Sequence, residues 1–401
     1  MASAHRRGIW LAALAVLAAL LLVGVARVVT PHWQDDTLWR NALASAGGTQ
    51  RPGDFGYVFL PAANDVLDGR DPYMNPDDFR GPPQAPYAYP PVAAFLLTPL
   101  AVVPETVRGT FVPGVLFTLL LIAATVAGLY LLGVSDWRCY PIALVYPFTL
   151  EAFEYGAIGP VLLLLTAVVW RYRDTTGVTA PATAGAVVLK LFTWPLLVWL
   201  AITGRIRAAV AAAGLALALA VVSWSVLGFG GIGSYPRLLD KLVEVEGENS
   251  YSVFAIFRAL GLPETASRLG VIVMGGALLV LAWRAATSSG ADPTERDRRS
   301  LSLAVAAALV LTPILWLHYL VLLLVPLALA RPRLSPLWAV PLVLILFEAL
   351  DWYRGWPTGD GKALASVAVV SAIVVIGSLR TRDSAPVGRR AVPAGAIGVD
   401  D

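Results

Sequence analysis

Long apolar runs separated by short polar connections make up most of the chain. The first run, Ile9–Val29, follows the basic residues Arg6 and Arg7. At about 1.5 Å per residue, a helix over this run is about 30 Å long, which matches the hydrocarbon core of a bilayer. Because the run is longer than the apolar region of a signal peptide, it predicts an uncleaved first span with a cytoplasmic N-terminus.

Apolar runs continue to the C-terminal part of the chain and predict further membrane helices. The candidate spans after the first are Thr110–Gly133, Cys139–Leu150, Gly156–Trp170, Ala182–Phe192, Thr193–Thr203, Ala208–Gly228, Ser267–Trp283, Leu301–Trp316, Leu317–Ala330, Leu334–Leu350 and Lys362–Leu379. Several are short, as expected for helices that break inside the protein or line a cavity. The pattern predicts an all-α polytopic membrane protein with about 12 transmembrane or re-entrant helices and both termini in the cytoplasm.

The longest polar stretch is the predicted outer loop, residues 30–91, which contains eight Asp and no Glu. The apolar segment Ala88–Pro104 follows it, but several prolines interrupt this segment, which favours a re-entrant or interfacial hairpin. A second outer loop is predicted at 229–266. We expect residues 1–380 to form one transmembrane domain and 381–401 to be a disordered cytoplasmic tail.

Basic residues support this orientation. More than half of the 30 Lys and Arg residues fall in short connections on the predicted cytoplasmic side. This distribution agrees with the excess of positive charge found in cytoplasmic loops. The long loops 30–91, 229–266 and 351–361 then face outward, so a functional pocket is expected on the outer side.

Composition excludes several classes of protein. The chain is 57% hydrophobic and only 14% charged, with mean hydropathy +0.70, whereas a soluble chain is about one quarter charged. A net charge of +3 without a single basic patch gives no indication of nucleic-acid binding. One cysteine, Cys139, excludes an intrachain disulfide framework, and three scattered histidines do not form a metal cluster. We therefore predict that the protein uses neither a metal nor a cofactor. Its reactive groups are expected to lie in loops and at the ends of helices.

The outer loop offers a candidate catalytic base. Asp54 precedes Phe55 and Tyr57, aromatic residues suited to stacking on sugars, and a carboxylate can take the proton of a sugar hydroxyl. The alternative is an ordinary solvated aspartate. Glu151 and Glu154 lie three residues apart and would share one helix face. We interpret them as an interfacial polar cap, with a second acidic contribution to the site as the alternative.

Three basic or titratable residues interrupt or border apolar runs. Lys190 lies within VVLKLFTWPLL, where an ionisable group is expensive and suggests a lipid-phosphate contact, with snorkelling as the alternative. Arg258 could bind the same anion in bidentate geometry. His318, flanked by Trp316 and Tyr319, is expected to face a cavity, although it could instead be a helix-packing histidine.

The string GFGGIG, residues 228–233, matches the pattern G-x-G-x-x-G of dinucleotide-binding loops. That motif requires a preceding strand and a following helix. Here an apolar membrane segment precedes the string, so we interpret it as a flexible loop.

Several of these residues, taken in order, resemble glycosyltransferase family 87. The resemblance begins with Asp54-Phe55, LDGRDPY at 67–73, Tyr89-Pro-Pro and PLAVVP at 99–104. It continues with KLFTWP at Lys190, ENSYS at 248–252 followed by Arg258, and TPILWLHY at 312–319. Members of this family are polytopic enzymes of the GT-C fold.

The resemblance implies a polyprenyl-phosphate sugar donor, most often of mannose and sometimes of arabinose. It implies transfer to a lipid-anchored glycan on the outer face of the cell membrane, as in phosphatidylinositol mannoside or lipoarabinomannan assembly. It also implies that Asp54 is the catalytic base. Candidate side chains for contact with the sugar or acceptor are Phe55, Tyr57, Tyr73, Tyr89, Glu154, Trp316 and Tyr319.

The residues together favour a mechanism. Lys190 and Arg258 would hold the donor phosphate, His318 would support the reaction, and Asp54 would deprotonate an acceptor hydroxyl that displaces the lipid phosphate with inversion. A transporter or flippase for a lipid-linked sugar is the alternative from another class, but it would more often show inverted repeats. A non-catalytic assembly subunit is a third reading, which would tolerate loss of Asp54.

Overall fold

A computed structural model describes residues 53–81, 84–107, 110–345 and 361–379. The predicted first span, Ile9–Val29, and the predicted tail at 381–401 lie outside the described residues. The outer loop is described from residue 53, and the predicted span Leu334–Leu350 is described as far as residue 345.

The described chain is helical, with one short hairpin. A π-helical turn at Phe55–Phe59 runs into α1 (Leu60–Leu67). The hairpin pairs β1 (Thr106–Val107) with β2 (Thr110–Phe111) in antiparallel register. The other α-helices are α2 (Pro91–Ala101), α3 (Val112–Leu131), α4 (Cys139–Leu144), α5 (Pro147–Tyr155), α6 (Gly159–Arg171), α7 (Thr176–Leu189), α8 (Pro195–Ile202), α9 (Ile206–Val226), α10 (Tyr235–Glu246), α11 (Val253–Ala259), α12 (Glu264–Thr287), α13 (Pro293–Leu311), α14 (Leu324–Ala330), α15 (Pro336–Ala339) and α16 (Gly361–Leu379). The 3-10 segments are Pro76–Asp78, Leu191–Thr193, Leu317–Leu323 and Val340–Leu342.

Membrane spans are evident among these helices. By length and composition α3, α9 and α12 can each cross a bilayer, and α5 with α6 can form a fourth span that is bent by 117°. The other apolar helices are shorter, including α2, α7 and the segment Leu317–Ala330. The chain is therefore a multi-pass membrane protein, and its described part has three or four helical segments that are long and apolar enough to cross a bilayer, together with several shorter apolar helices.

Two of the spans expose wide apolar surfaces. Only 28% of the apolar window of α9 and 17% of that of α12 is buried inside the protein. Exposed large apolar side chains such as Leu217, Val226 and Ile272 suit contact with lipid. The buried core instead follows α3, α5, α6, α13 and the 317–330 segment.

The boundaries of several predicted spans differ from the structure. The predicted span Cys139–Leu150 is divided between α4 and α5, which are separated by Val145 and Tyr146 before Pro147. The predicted span Leu301–Trp316 is α13, which begins at Pro293 because Asp292 caps its N-terminus through the backbone N–H groups of Thr294 and Glu295. It ends at Leu311, before Pro313, which cannot continue a helix. The predicted boundary at Phe192 falls inside the 3-10 turn Leu191–Thr193, which joins α7 to α8.

The GFGGIG string forms a turn against which the outer loop packs. Gly231 has φ +72°, a conformation that glycine adopts without strain, and a Cβ there would collide with the ring of Tyr73. A Cβ on Gly230 would lie 3.2 Å from a carboxylate oxygen of Asp71. The string therefore allows the Asp71–Tyr73 part of the outer loop to lie directly on the end of α9.

An ion-pair network joins two loops to α13 at one end of the helices. Asp297, on α13, accepts hydrogen bonds from Arg173 at 3.0 Å and from Arg205 at 2.7 Å. Arg205 also pairs with Asp174 at 2.8 Å. Arg173 and Arg205, from the loops that follow α6 and α8, thus meet at one end of the molecule, as expected if both loops face the same side of the membrane.

A close approach between α6 and the 3-10 segment Leu317–Leu323 sets the position of His318. The bend between α5 and α6 places Gly156 at φ +60°, and α5 packs along the same 3-10 segment. A Cβ on Gly159 would lie 2.7 Å from the carbonyl oxygen of His318. Only glycine therefore fits at 159 without displacing the backbone that carries His318.

We expect Gly159→Ala to destabilise the protein by about 1–3 kcal/mol, because the added methyl group overpacks this contact. Thermal unfolding of the purified protein in detergent measures the change. Gly214→Ala is the matched control. Gly214 lies in the middle of α9, and a Cβ there would have no neighbouring atom within 4 Å outside its own helix backbone. An unfolding temperature of Gly159→Ala equal to that of Gly214→Ala would contradict this account of the contact.

Candidate active site

A cavity of about 770 Å³ lies where the short helices and the outer loop meet. One part of its wall comes from the outer loop, namely the start of the outer-loop helix (the π-helical turn Phe55–Phe59 and α1) with residues 53 and 54 before it, and residues 84–90. The rest comes from α5, the break between α7 and α8, α10, and residues 311–319. The titratable side chains that line it are Asp54, Glu151, Glu154, Lys190, Glu246 and His318. Six titratable residues from distant parts of the sequence therefore converge on one cavity, most of whose other lining residues are apolar or aromatic.

Asp54 lies at the cavity because the residue after it is anchored. Phe55 is fully buried and its ring stacks on Phe117, with centroids 4.4 Å apart. Asp54 occupies the N-cap position of the π-helical turn, yet its side chain makes no capping hydrogen bond. Burial raises the pKa of Asp54 above its ordinary value, while His318 and then Lys190 act to lower it. A raised pKa makes this carboxylate a stronger base than an ordinary aspartate, which suits it to accept a proton.

His318 lies beside the acidic helix α5. Its Nδ1 is 3.5 Å from Oε1 of Glu151, within ion-pair range but without the geometry of a hydrogen bond. Its ring meets that of Tyr319 edge to face, with centroids 4.6 Å apart. In the described part of the chain neither ring nitrogen of this buried imidazole has a hydrogen-bond partner, so both keep unused hydrogen-bonding capacity at the cavity wall.

Lys190 is exposed to the cavity by a break in the helix. The backbone at Lys190 is extended, with φ −155° and ψ 106°, and this ends α7. The Nζ atom lies 3.9 Å from the ring centroid of Tyr89 and 4.8 Å from that of Tyr319. Aromatic faces attract a cation, but they leave its N–H groups free to bind an anion. Within the described residues, no carboxylate lies within ion-pair distance of this ammonium.

Most of the aromatic residues proposed for sugar contact line the cavity. Tyr57 has 61% of its surface exposed and reaches the cavity from the outer-loop helix. The other predicted contact residues in the wall are Tyr89, Glu154, Trp316 and Tyr319. Aromatic faces beside carboxylates are typical of sugar-binding surfaces, so this wall fits a hydroxyl-rich ligand.

Phe55 and Tyr73 are not part of the cavity wall. Phe55 anchors the outer-loop helix, as described above. Tyr73 packs between Trp224 and Tyr235, with ring centroids 6.2 Å and 5.4 Å away, and its hydroxyl donates to the carbonyl oxygen of Tyr89 at 2.8 Å. Both residues therefore support the positions of cavity residues rather than facing a ligand.

Arg258 also lies outside the cavity wall. Its Nε donates to Oε1 of Glu248 at 2.7 Å, and its Nη1 donates to the carbonyl oxygen of Leu262 at 2.8 Å. These contacts tie the C-terminal end of α11 to the loops on either side of it. The structure brings Asp54, Lys190 and His318 together but leaves Arg258 apart from them.

Two acidic residues have more central positions than sequence analysis gave them. Glu151, for which the sequence favours an interfacial polar cap, lines the cavity and contacts His318. Glu246, which is not among the predicted site residues, lines the same cavity at the end of α10. The signal was present, because Glu246 follows Leu242 and Val243 at helical spacing on the apolar face of an amphipathic helix. Among the described residues, no group of three His, Cys, Asp or Glu side chains is arranged to hold a metal ion.

Comparison with known proteins identifies a family. The model of glycosyltransferase family 87 matches residues 87–313, which is more than half of the 401 residues. Lys190 and Glu246 fall inside the matched region, Asp54 precedes it, and His318 follows it. Neither a curated protein nor a solved structure matches the chain.

Proposed function

The chain belongs to glycosyltransferase family 87 and is a membrane glycosyltransferase, and we propose that it moves mannose from a polyprenyl-phosphate donor to a lipid-linked glycan. The observation that carries the proposal is the convergence of a carboxylate, an ammonium and an imidazole, Asp54, Lys190 and His318, on one cavity. The resemblance in sequence adds the donor class, with polyprenyl-phosphate arabinose as the alternative donor.

The donor side of the cavity is the side of Lys190. A charged lysine inside an apolar region lowers the stability of the protein, so its presence there indicates a functional role. Its ammonium rests on the faces of Tyr89 and Tyr319, which satisfy its charge in part but use none of its hydrogen bonds. A lipid phosphate fits this position, because its headgroup needs a cation while its tail can lie among the short apolar helices.

The reaction is a single displacement. Asp54 accepts the proton of an acceptor hydroxyl as its oxygen attacks the anomeric carbon of the donor. The bond from that carbon to the phosphate oxygen breaks, and the electron pair leaves with the polyprenyl phosphate. Lys190 stabilises the charge that develops on this leaving group. Attack opposite to the leaving group inverts the anomeric centre.

His318 and Glu151 support this reaction from the side of α5. The imidazole is close enough to Asp54 that a positive charge on it would lower the pKa of that carboxyl, and its Nδ1 lies 3.5 Å from Oε1 of Glu151. A neutral imidazole beside the carboxylate can donate a hydrogen bond to a sugar hydroxyl or to the phosphate. We propose a supporting role for His318, with proton abstraction performed by Asp54.

Asp54→Asn should lower the turnover rate by about 10²–10⁴, because the amide keeps the shape of the side chain but cannot accept the proton. The assay measures transfer from polyprenyl-phosphate mannose in membranes, together with donor binding to the purified protein. Asp68→Asn is the control, since Asp68 is an exposed carboxylate of the same loop that pairs with Arg70. Normal turnover of Asp54→Asn would show that the base lies elsewhere.

Lys190→Met should raise the KM for the donor by about 10- to 100-fold, because a charge-assisted hydrogen bond contributes about 1.5–3 kcal/mol. The unfolding temperature should stay the same or rise, since the change removes a buried charge that lacks an ion-pair partner in the described structure. Lys241→Met is the control, because Lys241 is on the surface of α10 and pairs with Glu244. An unchanged donor KM would remove Lys190 from the phosphate site.

The cavity should open to the outer face of the membrane, as the distribution of arginines indicates. In a variant with Cys139→Ala, a cysteine at Ala85 should react with a membrane-impermeant maleimide in intact cells, because Ala85 is exposed at the cavity. A cysteine at Ser289, in the exposed turn between α12 and α13, should react only in inverted vesicles. The reverse labelling pattern would overturn this orientation.

A further inference from the structure

Glu246 is a buried carboxylate in the cavity that the proposed reaction does not use. Only 5% of its surface is exposed, it lines the cavity, and its Oε2 atom has no hydrogen-bond partner among the described residues. It ends α10, whose residues Leu239, Leu242 and Val243 form an apolar part of the same wall. The carboxylate therefore lies at the end of the apolar ridge that Leu239, Leu242 and Val243 form along α10.

Close packing holds this carboxylate in position. A Cβ on Gly81 would lie 3.0 Å from Cγ1 of Val245 and 3.9 Å from Oε1 of Glu246, so the outer loop passes directly beside the glutamate. A Cβ on Gly247 would lie 3.1 Å from the ring of Phe254, which fixes the end of α10 against α11. Two glycines therefore bring the outer loop and α11 close enough to hold Glu246 at the cavity.

Folding alone does not account for a glutamate at this position. Burial raises the pKa of Glu246 above its ordinary value, and the nearby side-chain amide of Asn249 offsets this only in part. A carboxylate whose folded-state pKa is raised lowers stability at neutral pH, where it is ionised in the unfolded chain. An unpaired oxygen adds to the cost of burial. A neutral side chain would serve the fold better, so the charge is expected to serve a ligand.

The chemistry of the ligand follows from the groups around Glu246. An ionised carboxylate only accepts hydrogen bonds, so its partner must be a donor such as a hydroxyl group. Aromatic residues Phe79, Tyr235 and Tyr251 belong to the same cavity wall and suit the faces of sugar rings. A sugar with free hydroxyl groups fits both features.

The position of Glu246 favours the acceptor over the donor. Glu246 ends α10 beside Gly81 of the outer loop, whereas the Lys190 ammonium lies on the rings of Tyr89 and Tyr319 at the break after α7. Different elements of the cavity wall therefore carry Glu246 and the ammonium assigned to the donor phosphate. A donor monosaccharide is bonded directly to its phosphate and must stay beside Lys190, so the region near Glu246 is left for the other substrate.

We propose that Glu246 forms an acceptor subsite, in which its carboxylate accepts a hydrogen bond from a hydroxyl group of the acceptor sugar. This inference rests on the proposed function, because it assumes that the donor phosphate binds at Lys190. It assigns to the apolar ridge of α10 and to Glu246 the task of orienting the acceptor so that one of its hydroxyls meets Asp54.

The test compares Glu246→Gln with Glu244→Gln. Glu244 is on the same helix but is exposed and pairs with Lys241, so it provides a matched control. The acceptor probe is octyl α-mannoside, and the donor is polyprenyl-phosphate mannose. For Glu246→Gln we expect the KM for octyl α-mannoside to rise by about 10- to 100-fold. The donor KM should not change, because the donor phosphate is assigned to Lys190.

Two further measurements separate binding from folding. The unfolding temperature of Glu246→Gln should equal or exceed that of the wild type, whereas a structural role would lower it. Octyl α-mannoside without donor should raise the unfolding temperature of the wild type and of Glu244→Gln, but not that of Glu246→Gln. This binding assay does not depend on the donor or on turnover.

The outcomes distinguish the subsite from the proposed reaction. If Glu246→Gln raises the donor KM and leaves the acceptor KM unchanged, or if octyl α-mannoside stabilises both variants equally, the acceptor subsite is overturned. It is also overturned if octyl α-mannoside does not stabilise the wild type. If octyl α-mannoside binds in a Glu246-dependent manner but no product forms from polyprenyl-phosphate mannose, the subsite stands and the proposed donor is wrong.

Discussion

The structure depends on one constraint, which is that charged side chains must be sheltered from lipid inside an apolar protein. Unpaired charges and backbone groups are too costly to face hydrocarbon, so they can lie only where they border a cavity or other protein. The chain meets this constraint by breaking its helices around one chamber. Lys190 interrupts the passage from α7 to α8, and His318 lies in a 3-10 segment rather than a regular helix.

Small residues make these breaks compatible with tight packing. Gly159 permits α6 to touch the backbone of His318, and Gly156 adopts the left-handed conformation required at the 117° bend before α6. Gly231 has a positive φ and no Cβ, so Tyr73 of the outer loop can pack directly against it. The hydroxyl of Tyr73 then donates a hydrogen bond to the backbone carbonyl of Tyr89. The aromatic face of Tyr89 in turn contacts the ammonium of Lys190. Positions distant from the cavity thus determine the placement of its charges.

Much of this arrangement could be predicted from the sequence, because lipid imposes a strong pattern. The apolar runs and the family emerged from residue order alone, and single polar residues in such runs, Lys190 and His318, were natural candidates for a cavity. Other features depend on tertiary contacts. Arg258 pairs locally with Glu248, and Phe55 is covered by Phe117. The sequence alone does not show whether an arginine or a phenylalanine in such a loop contacts another side chain of the protein or a ligand.

The central claim is that this cavity performs a single displacement on a lipid-linked sugar phosphate. The most direct measurement supplies purified protein with polyprenyl-phosphate mannose or polyprenyl-phosphate arabinose, together with a lipid-linked glycan acceptor, and determines the anomeric configuration of the new linkage by NMR. The account predicts product from the mannose donor, with a configuration opposite to that of the donor. Retention of configuration, or transfer from neither donor, would contradict it.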